Sequence, residues 1–198
     1  MKKIIALVGF VVIFTACDVA QQLAGAYNMT QCKYEYNSIS GLTLGGINLQ
    51  NVNSLSSLNP MTLTKLVTAF SSPSGTLPLN FNLNLNVTNP NSQTALLNGL
   101  SYILEIDGLE MTQGVMQRKI EVAGGGGKIV LPVTLGFDLK KVASGQSLES
   151  LKNLIFNFAG LGGNPSSVTF RIKPDFTIGG NTFSAPAYIP ISFTLNKK

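Results

Sequence analysis

From Leu77 to Thr88 the chain alternates without a break. Leu77, Leu79, Phe81, Leu83, Leu85 and Val87 fall on one side, and Pro78, Asn80, Asn82, Asn84, Asn86 and Thr88 on the other. A two-residue period predicts a β-strand with one face in a core and the other in water. The wet face is amide rather than charge, and Asn is a poor strand former. Its repetition reads either as a hydrogen-bonding surface for water, a glycan or another polar partner, or, more plainly, as a solvated outer face.

The flanking sequence extends this pattern. Tyr34 and Tyr36, then Leu42 and Leu44, then Ile47 and Leu49 keep the same two-residue step, with Gly45-Gly46 between the last two pairs, so one or two strands broken at a glycine turn or bulge are expected. Asn59-Pro60 opens a helical period through Met61, Leu63, Leu66, Val67 and Phe70, with Asn59 as N-cap and Pro60 in the first turn. Asn89-Pro90-Asn91 ends the alternating strand, because Pro has no N–H for a ladder and Asn tolerates turn geometry. Ser101–Ile106 and Leu109–Met111 flank Asp107-Gly108, a strong hairpin signal. Gly114 is expected to end or bend the returning strand. Further strands are expected over Val115–Val122 and Ile129–Phe137, joined by a flexible Gly124–Gly127 connection, with Pro132 marking an edge or a bulge. Ser147–Phe158 returns to helical spacing, and a glycine-rich loop follows over 159–165. Val168–Ile172 and Phe183–Leu195 read as strands, with a turn at Gly179-Gly180-Asn181. Many short strands between turn signals predict an antiparallel sandwich or barrel with two short accessory helices.

The N-terminus carries a different message. Lys2 and Lys3 precede an apolar run from Ile4 to Phe14, then Phe14-Thr15-Ala16-Cys17. A charged start, a short apolar stretch and a small-residue cleavage site make a secretory signal, and the run is too short to span a bilayer comfortably. A Cys directly after Thr-Ala resembles the lipobox of bacterial lipoproteins. That resemblance implies a signal peptide over residues 1–16 and an acylated Cys17, palmitate-type, as first residue of the mature chain. Asp18 follows; in some bacteria that residue favours retention at the inner membrane. Residues 17–31 lack a clear strand or helix pattern and read as a flexible, lipidated tether, leaving 32–198 as a single β-sandwich domain. With Cys17 acylated, Cys32 is left single and reads as a small buried hydrophobe; with cleavage elsewhere, Cys17–Cys32 is a candidate disulfide.

Composition narrows the chemistry. The 198 residues include no His and no Trp, and 12% are charged. The lack of His removes every Ser-His-Asp, Cys-His and His-metal arrangement, and few ionisable groups are present to tune for catalysis. The net charge of +5 includes Lys2 and Lys3, and the remaining basic residues are scattered, unlike the clustered basic face of a nucleic-acid binder. Gly124–Gly127 before Lys128 lacks the first Gly and the Ser or Thr of a phosphate-binding loop: Val122 and Ile129 stand there. Glu105, Asp107 and Glu110 form an acidic cluster, but Asp107 is explained by its turn, and Glu105 and Glu110 are expected as neighbours across the hairpin. Asn28-Met29-Thr30 and Asn86-Val87-Thr88 match a glycosylation sequon, which is coincidental in a bacterial lipoprotein. No metal site and no cofactor is expected.

The succession Leu83-Asn84-Leu85-Asn86-Val87-Thr88-Asn89-Pro90-Asn91, then Tyr102 to Gly108, Gly114 and Leu131-Pro132-Val133, resembles the late-embryogenesis-abundant type 2 domain, also called the water-stress and hypersensitive-response domain. The match is best over Leu77 to Leu139. It implies an immunoglobulin- or fibronectin-like antiparallel β-sandwich without a catalytic site, with Asn89, Pro90, Asn91, Asp107, Gly108 and Gly114 as structural motif positions. It also implies a protective or scaffolding role in desiccation and other stress, here in a lipid-anchored protein of the bacterial envelope facing the periplasm. Some members are suspected of binding lipid. The alternative expectation is therefore a lipid or apolar-ligand carrier, with Leu79, Phe81, Leu83 and Leu85 lining a groove.

Overall fold

A computed structural model of the chain describes residues 18–50, 59–71, 75–142 and 164–195. Two antiparallel sheets face each other across an apolar core. The first has the order β2-β1-β3-β6, from β1 (Lys33–Leu44), β2 (Ile47–Asn48), β3 (Pro78–Thr88) and β6 (Lys128–Asp138). The second has β5-β4-β7, from β4 (Ala95–Ile106), β5 (Leu109–Val122) and β7 (Ser166–Ile178). The outer edge of β7 is shared by β8 (Asn181–Ser184) and β9 (Ile189–Leu195). The expected antiparallel β-sandwich is present. β6 is an edge strand, as Pro132 predicts: Pro132 sits opposite Asn84, and its missing N–H costs the sheet nothing on the free side.

The alternation of β3 survives intact. Leu79, Phe81, Leu83, Leu85 and Val87 are buried, and the positions between them reach solvent wholly or in part. They share the core with Leu131, Val133 and Leu135 of the neighbouring strand β6 and, from the facing sheet, Leu100 and Leu104 of β4 and Val168, Phe170 and Ile172 of β7. Tyr36 of β1 stacks on Phe193 of β9 with ring centres 4.0 Å apart, closing one flank. In β4 a bulge between Leu97 and Gly99 changes the register. Ala95 and Leu97 point inward before it, and Leu100, Leu104 and Ile106 after it. Without that extra residue the second half of the strand would turn its apolar side chains to water.

Turns fall where glycine makes them easy. Gly45-Gly46 and Gly179-Gly180 all have positive φ and join β1 to β2 and β7 to β8. Helix α2 (Pro60–Ser71) begins as expected, with the Asn59 side-chain oxygen accepting the Thr62 N–H at 2.8 Å. A single turn, α3 (Leu139–Val142), follows β6 and buries Leu139. The helix expected over Ser147–Phe158 lies outside the described residues.

Two expectations are corrected. The segment read as a flexible tether is a helix, α1, over residues 18–30, and it buries Ala26 and Met29 against the body. Its packing face is made of Gly25, Ala26, Asn28 and Met29, too small and too polar to register as a stripe. Of the end or bend expected at Gly114, the end is overturned: β5 runs through it from Leu109 to Val122. Here the missing side chain has a packing reason, since a Cβ on Gly114 would stand 2.6 Å from the Tyr102 hydroxyl oxygen, the ring of the residue directly opposite. No helix among the described residues is long and apolar enough to cross a membrane.

Candidate functional site

The Asn-Pro-Asn turn between β3 and β4 is densely hydrogen-bonded. Asn89 is fully buried. Its Nδ2 donates to the carbonyls of Gln93 at 2.8 Å and Val122 at 3.0 Å, and its Oδ1 accepts from the backbone N–H and the side-chain amide of Asn91, both at 3.0 Å. All four hydrogen-bonding positions of that amide are filled, which removes the penalty of burying it. Its backbone is held as well. The N–H donates to the Gly127 carbonyl at 2.9 Å, and the carbonyl accepts from Gly126 at 3.0 Å, while Gly125 donates to the Asn91 carbonyl at 2.7 Å.

The Gly124–Gly127 connection is therefore clamped to the turn instead of flexible, and its glycines are needed for closeness. A Cβ on Gly124 would meet the Ser92 carbonyl oxygen at 2.2 Å, and Gly125 and Gly126 have φ of 70° and 86°. The Asn91 amide also donates to the carbonyl of Asn28 at 3.2 Å, and the Asn28 amide reaches the carbonyls of Gln93 and Thr94 at 3.4 and 3.3 Å. The end of α1 is thus bonded to the turn across more than sixty residues of sequence. Asn28, the first residue of one sequon, is itself buried. Cys32 is a free, buried thiol whose Sγ donates to the same Asn28 carbonyl at 3.5 Å, and burial pushes its pKa up to about 11.

The second motif, Asp107-Gly108, forms the β4–β5 hairpin with φ of 52° and 80°, both in the left-handed region that a two-residue turn of this kind requires. Asp107 also ties the turn to β7. Its N–H donates to the Ser167 carbonyl and its carboxylate accepts the Ser167 N–H, each at 2.8 Å. Glu105 and Glu110 face each other across the hairpin as expected, and Glu105 is paired with Arg171 of β7.

The four residues assigned to an apolar groove, Leu79, Phe81, Leu83 and Leu85, are at most 2% exposed and lie in the closed core. That expectation is corrected: the second sheet covers the face that was to form the groove. On the opposite face of β3 the asparagines bond laterally. Asn84 donates to Ser38 and Ser40 at 3.0 Å, Asn37 donates to Asn86 at 2.8 Å, and Thr134 donates to Asn82 at 2.8 Å. The repeated amides cross-brace three strands on a largely uncharged surface. Two clefts flank α1. One, of about 320 Å³, lies between Gln22 and Ala26 on the helix and Leu96, Asn98, Lys119 and Phe176 on the sheet. The other, of about 500 Å³, lies between Gln21 and Gly25 and the loop from Ser92 to Thr94. Neither holds a cluster of titratable groups, and among the described residues no group of three or more His, Cys, Asp or Glu is placed so that it could hold a metal ion.

The closed corner and the hairpin are the two points that the motif residues build, and both fall inside the stretch that known families recognise. No curated protein matches the chain. Among solved structures it is similar to a protein from Archaeoglobus fulgidus (14% identity, 64% of this chain and 90% of that one, TM-score 0.35). It is also similar to AT1g01470 from Arabidopsis thaliana (14% identity, 60% and 70%, TM-score 0.34) and to the late embryogenesis abundant protein At2g46140.1 (13% identity, 99% and 87%, TM-score 0.38). At these identities and scores the likenesses carry no weight beyond the family match. That match, to the late embryogenesis abundant protein family (LEA_2), covers residues 84–187, from the middle of β3 past β8. The chain belongs to the late embryogenesis abundant protein family.

Proposed function

We propose that this protein is a lipid-anchored, non-enzymatic member of its family, held by an acylated Cys17 on the periplasmic side of a bacterial envelope membrane, where it acts as a protective or scaffolding module under water stress. The observation that carries the reading is the junction at Cys17. A charged start, an apolar run and Phe14-Thr15-Ala16-Cys17 are followed at once by the folded body, whose first helix is bonded to the Asn-Pro-Asn corner. The chemistry of the chain supports a non-catalytic role. It contains no His, and its acidic hairpin cluster is occupied by a turn and an ion pair. The amide and hydroxyl surface over the middle of β1, β3 and β6, with Lys33, Glu35 and Lys128 gathered at one end, supports contact with polar neighbours rather than turnover.

The test is the intact mass of the protein extracted from membranes of an expressing bacterium. An N-terminus at Cys17 carrying a diacylglyceryl adduct, with release to the soluble fraction in the Cys17→Ala variant, is the expected result. A mature N-terminus elsewhere, or an unmodified Cys17, contradicts the anchor. A labile enzyme dried and rehydrated with the purified protein reads the protective half: activity recovered no better than with an equal mass of an unrelated globular protein contradicts it.

A further inference from the structure

We infer that α1 is a membrane-seating helix, and that Val19, Leu23 and Tyr27 lay it against the bilayer surface and so set the orientation of the whole body; the inference rests on the Cys17 anchor. Residues 19, 23 and 27 are spaced i, i+4, i+8 and share one helix face. They are 39%, 58% and 64% exposed, an apolar stripe in water on a helix whose other face is fixed. A Cβ on Gly25 would touch Leu96, Ala26 and Met29 are buried, the Gln22 side chain accepts the Gly179 N–H at 2.9 Å, and Asn28 is bonded into the corner. A swinging tether could point this stripe anywhere. A helix bonded at both ends points it one way.

Position names the occupant. The stripe begins two residues after Cys17, the proposed first residue of the mature chain. A helix of residues 18–30 is about 20 Å long at 1.5 Å per residue, so an acyl anchor at its start keeps its entire length within reach of the headgroup layer. The acyl anchor holds the chain at the membrane, and an apolar helix face beside it adds interfacial burial that sets orientation. Charge excludes an electrostatic alternative. Asp18 is the one ionisable acidic or basic residue in the helix besides Tyr27, so attraction to anionic headgroups is not what holds it. The apolar edge continues where Val19 approaches the Gly179-Gly180 turn leading into β8, whose Phe183 is 52% exposed.

The chain has no Trp, so one introduced Trp is a unique reporter. The lipidated protein bearing Leu23→Trp, Tyr27→Trp or Gln21→Trp is purified from bacterial membranes and reconstituted in phosphatidylethanolamine vesicles, with and without phosphatidylglycerol. Its emission is read against acyl chains brominated near the headgroup. Gln21 is exposed and lies about 160° around the helix from Leu23. The expected result is a blue-shifted emission quenched about twofold for Leu23→Trp and Tyr27→Trp, little quenching for Gln21→Trp, and no dependence on phosphatidylglycerol. Should Leu23→Trp lose the native circular dichroism, Tyr27→Trp carries the test. Absence of quenching with an acylated Cys17 verified by mass overturns the inference and leaves the anchor standing; a blue shift without quenching then identifies a protein partner or a second copy on the stripe. Equal quenching at all three positions overturns the fixed face. An unmodified Cys17 removes the anchor and the inference together.

Discussion

The two turns that carry the family motif do opposite jobs with similar residues. At Asn89-Pro90-Asn91 the side chains are structural members: Asn89 is buried, and its amide satisfies three backbone groups, two in its own connection and one at the end of β5. At Asp107-Gly108 the backbone conformation does most of the work, both residues are exposed, and one side-chain bond to Ser167 secures the turn. A turn that closes a local hairpin needs residues that tolerate its dihedral angles. A turn that closes the end of a sandwich must also answer for buried carbonyls brought there by strands distant in sequence.

Breaking the buried corner is expected to cost most. Asn89→Ala leaves the Gln93 and Val122 carbonyls without their donor, and stability measured by urea unfolding should fall by about 3 kcal/mol. A loss below about 1 kcal/mol would mean that water or a backbone shift replaces the amide. Gly124→Ala, which drives a Cβ onto the Ser92 carbonyl oxygen, should cost about 2 kcal/mol, because the obstacle is backbone and cannot rotate away. The corner also predicts a pH dependence. The Cys32 thiol, bonded to the Asn28 carbonyl, has its pKa raised by burial from 9.0 to about 11. The unfolded chain ionises first, so this contribution is fully present below pH 9 and is lost as pH rises from 9 to 11. The urea midpoint should fall over that window, and the fall should shrink in a Cys32→Ala background, since only the thiol's own share is removed; Tyr34 and Tyr36, also raised by burial, drive the same sign. Gly108→Ala should cost least, about 1 kcal/mol: φ is +80°, and nothing stands within 4 Å of the added carbon. If Gly108→Ala proves costlier than Gly124→Ala, the contrast between the turns is wrong.

The same contrast separates what was legible in the sequence from what was not. β3 was legible because one period ran through it unbroken, and the Asp107-Gly108 hairpin because its signal is two adjacent residues. The Asn-Pro-Asn turn was visible as a stop, but its bonds to Asn28, Val122 and the Gly124–Gly127 loop join residues 28 to 127, and no local pattern records them. The loop's glycines read as flexibility because sequence does not distinguish a glycine that moves from one that is crowded. The sequence hides α1 because its buried face has one large apolar residue, Met29, among Gly25, Ala26 and Asn28, while Val19, Leu23 and Tyr27 face outward. The groove was misplaced for a related reason: alternation in β3 shows that one face is apolar, but only the second sheet shows that the face is covered.

A covered core also separates a structural module from a carrier. The most direct test is native mass spectrometry, with lipid extraction, of the body from Asp18 to Lys198 made in a bacterial periplasm. A clean unliganded mass is the predicted result, because Phe81 and Leu83 are sealed between the sheets. A stoichiometric co-purifying lipid, lost when Leu83 is changed to Glu in a protein that still folds, would contradict the closed sandwich and make the protein a lipid carrier.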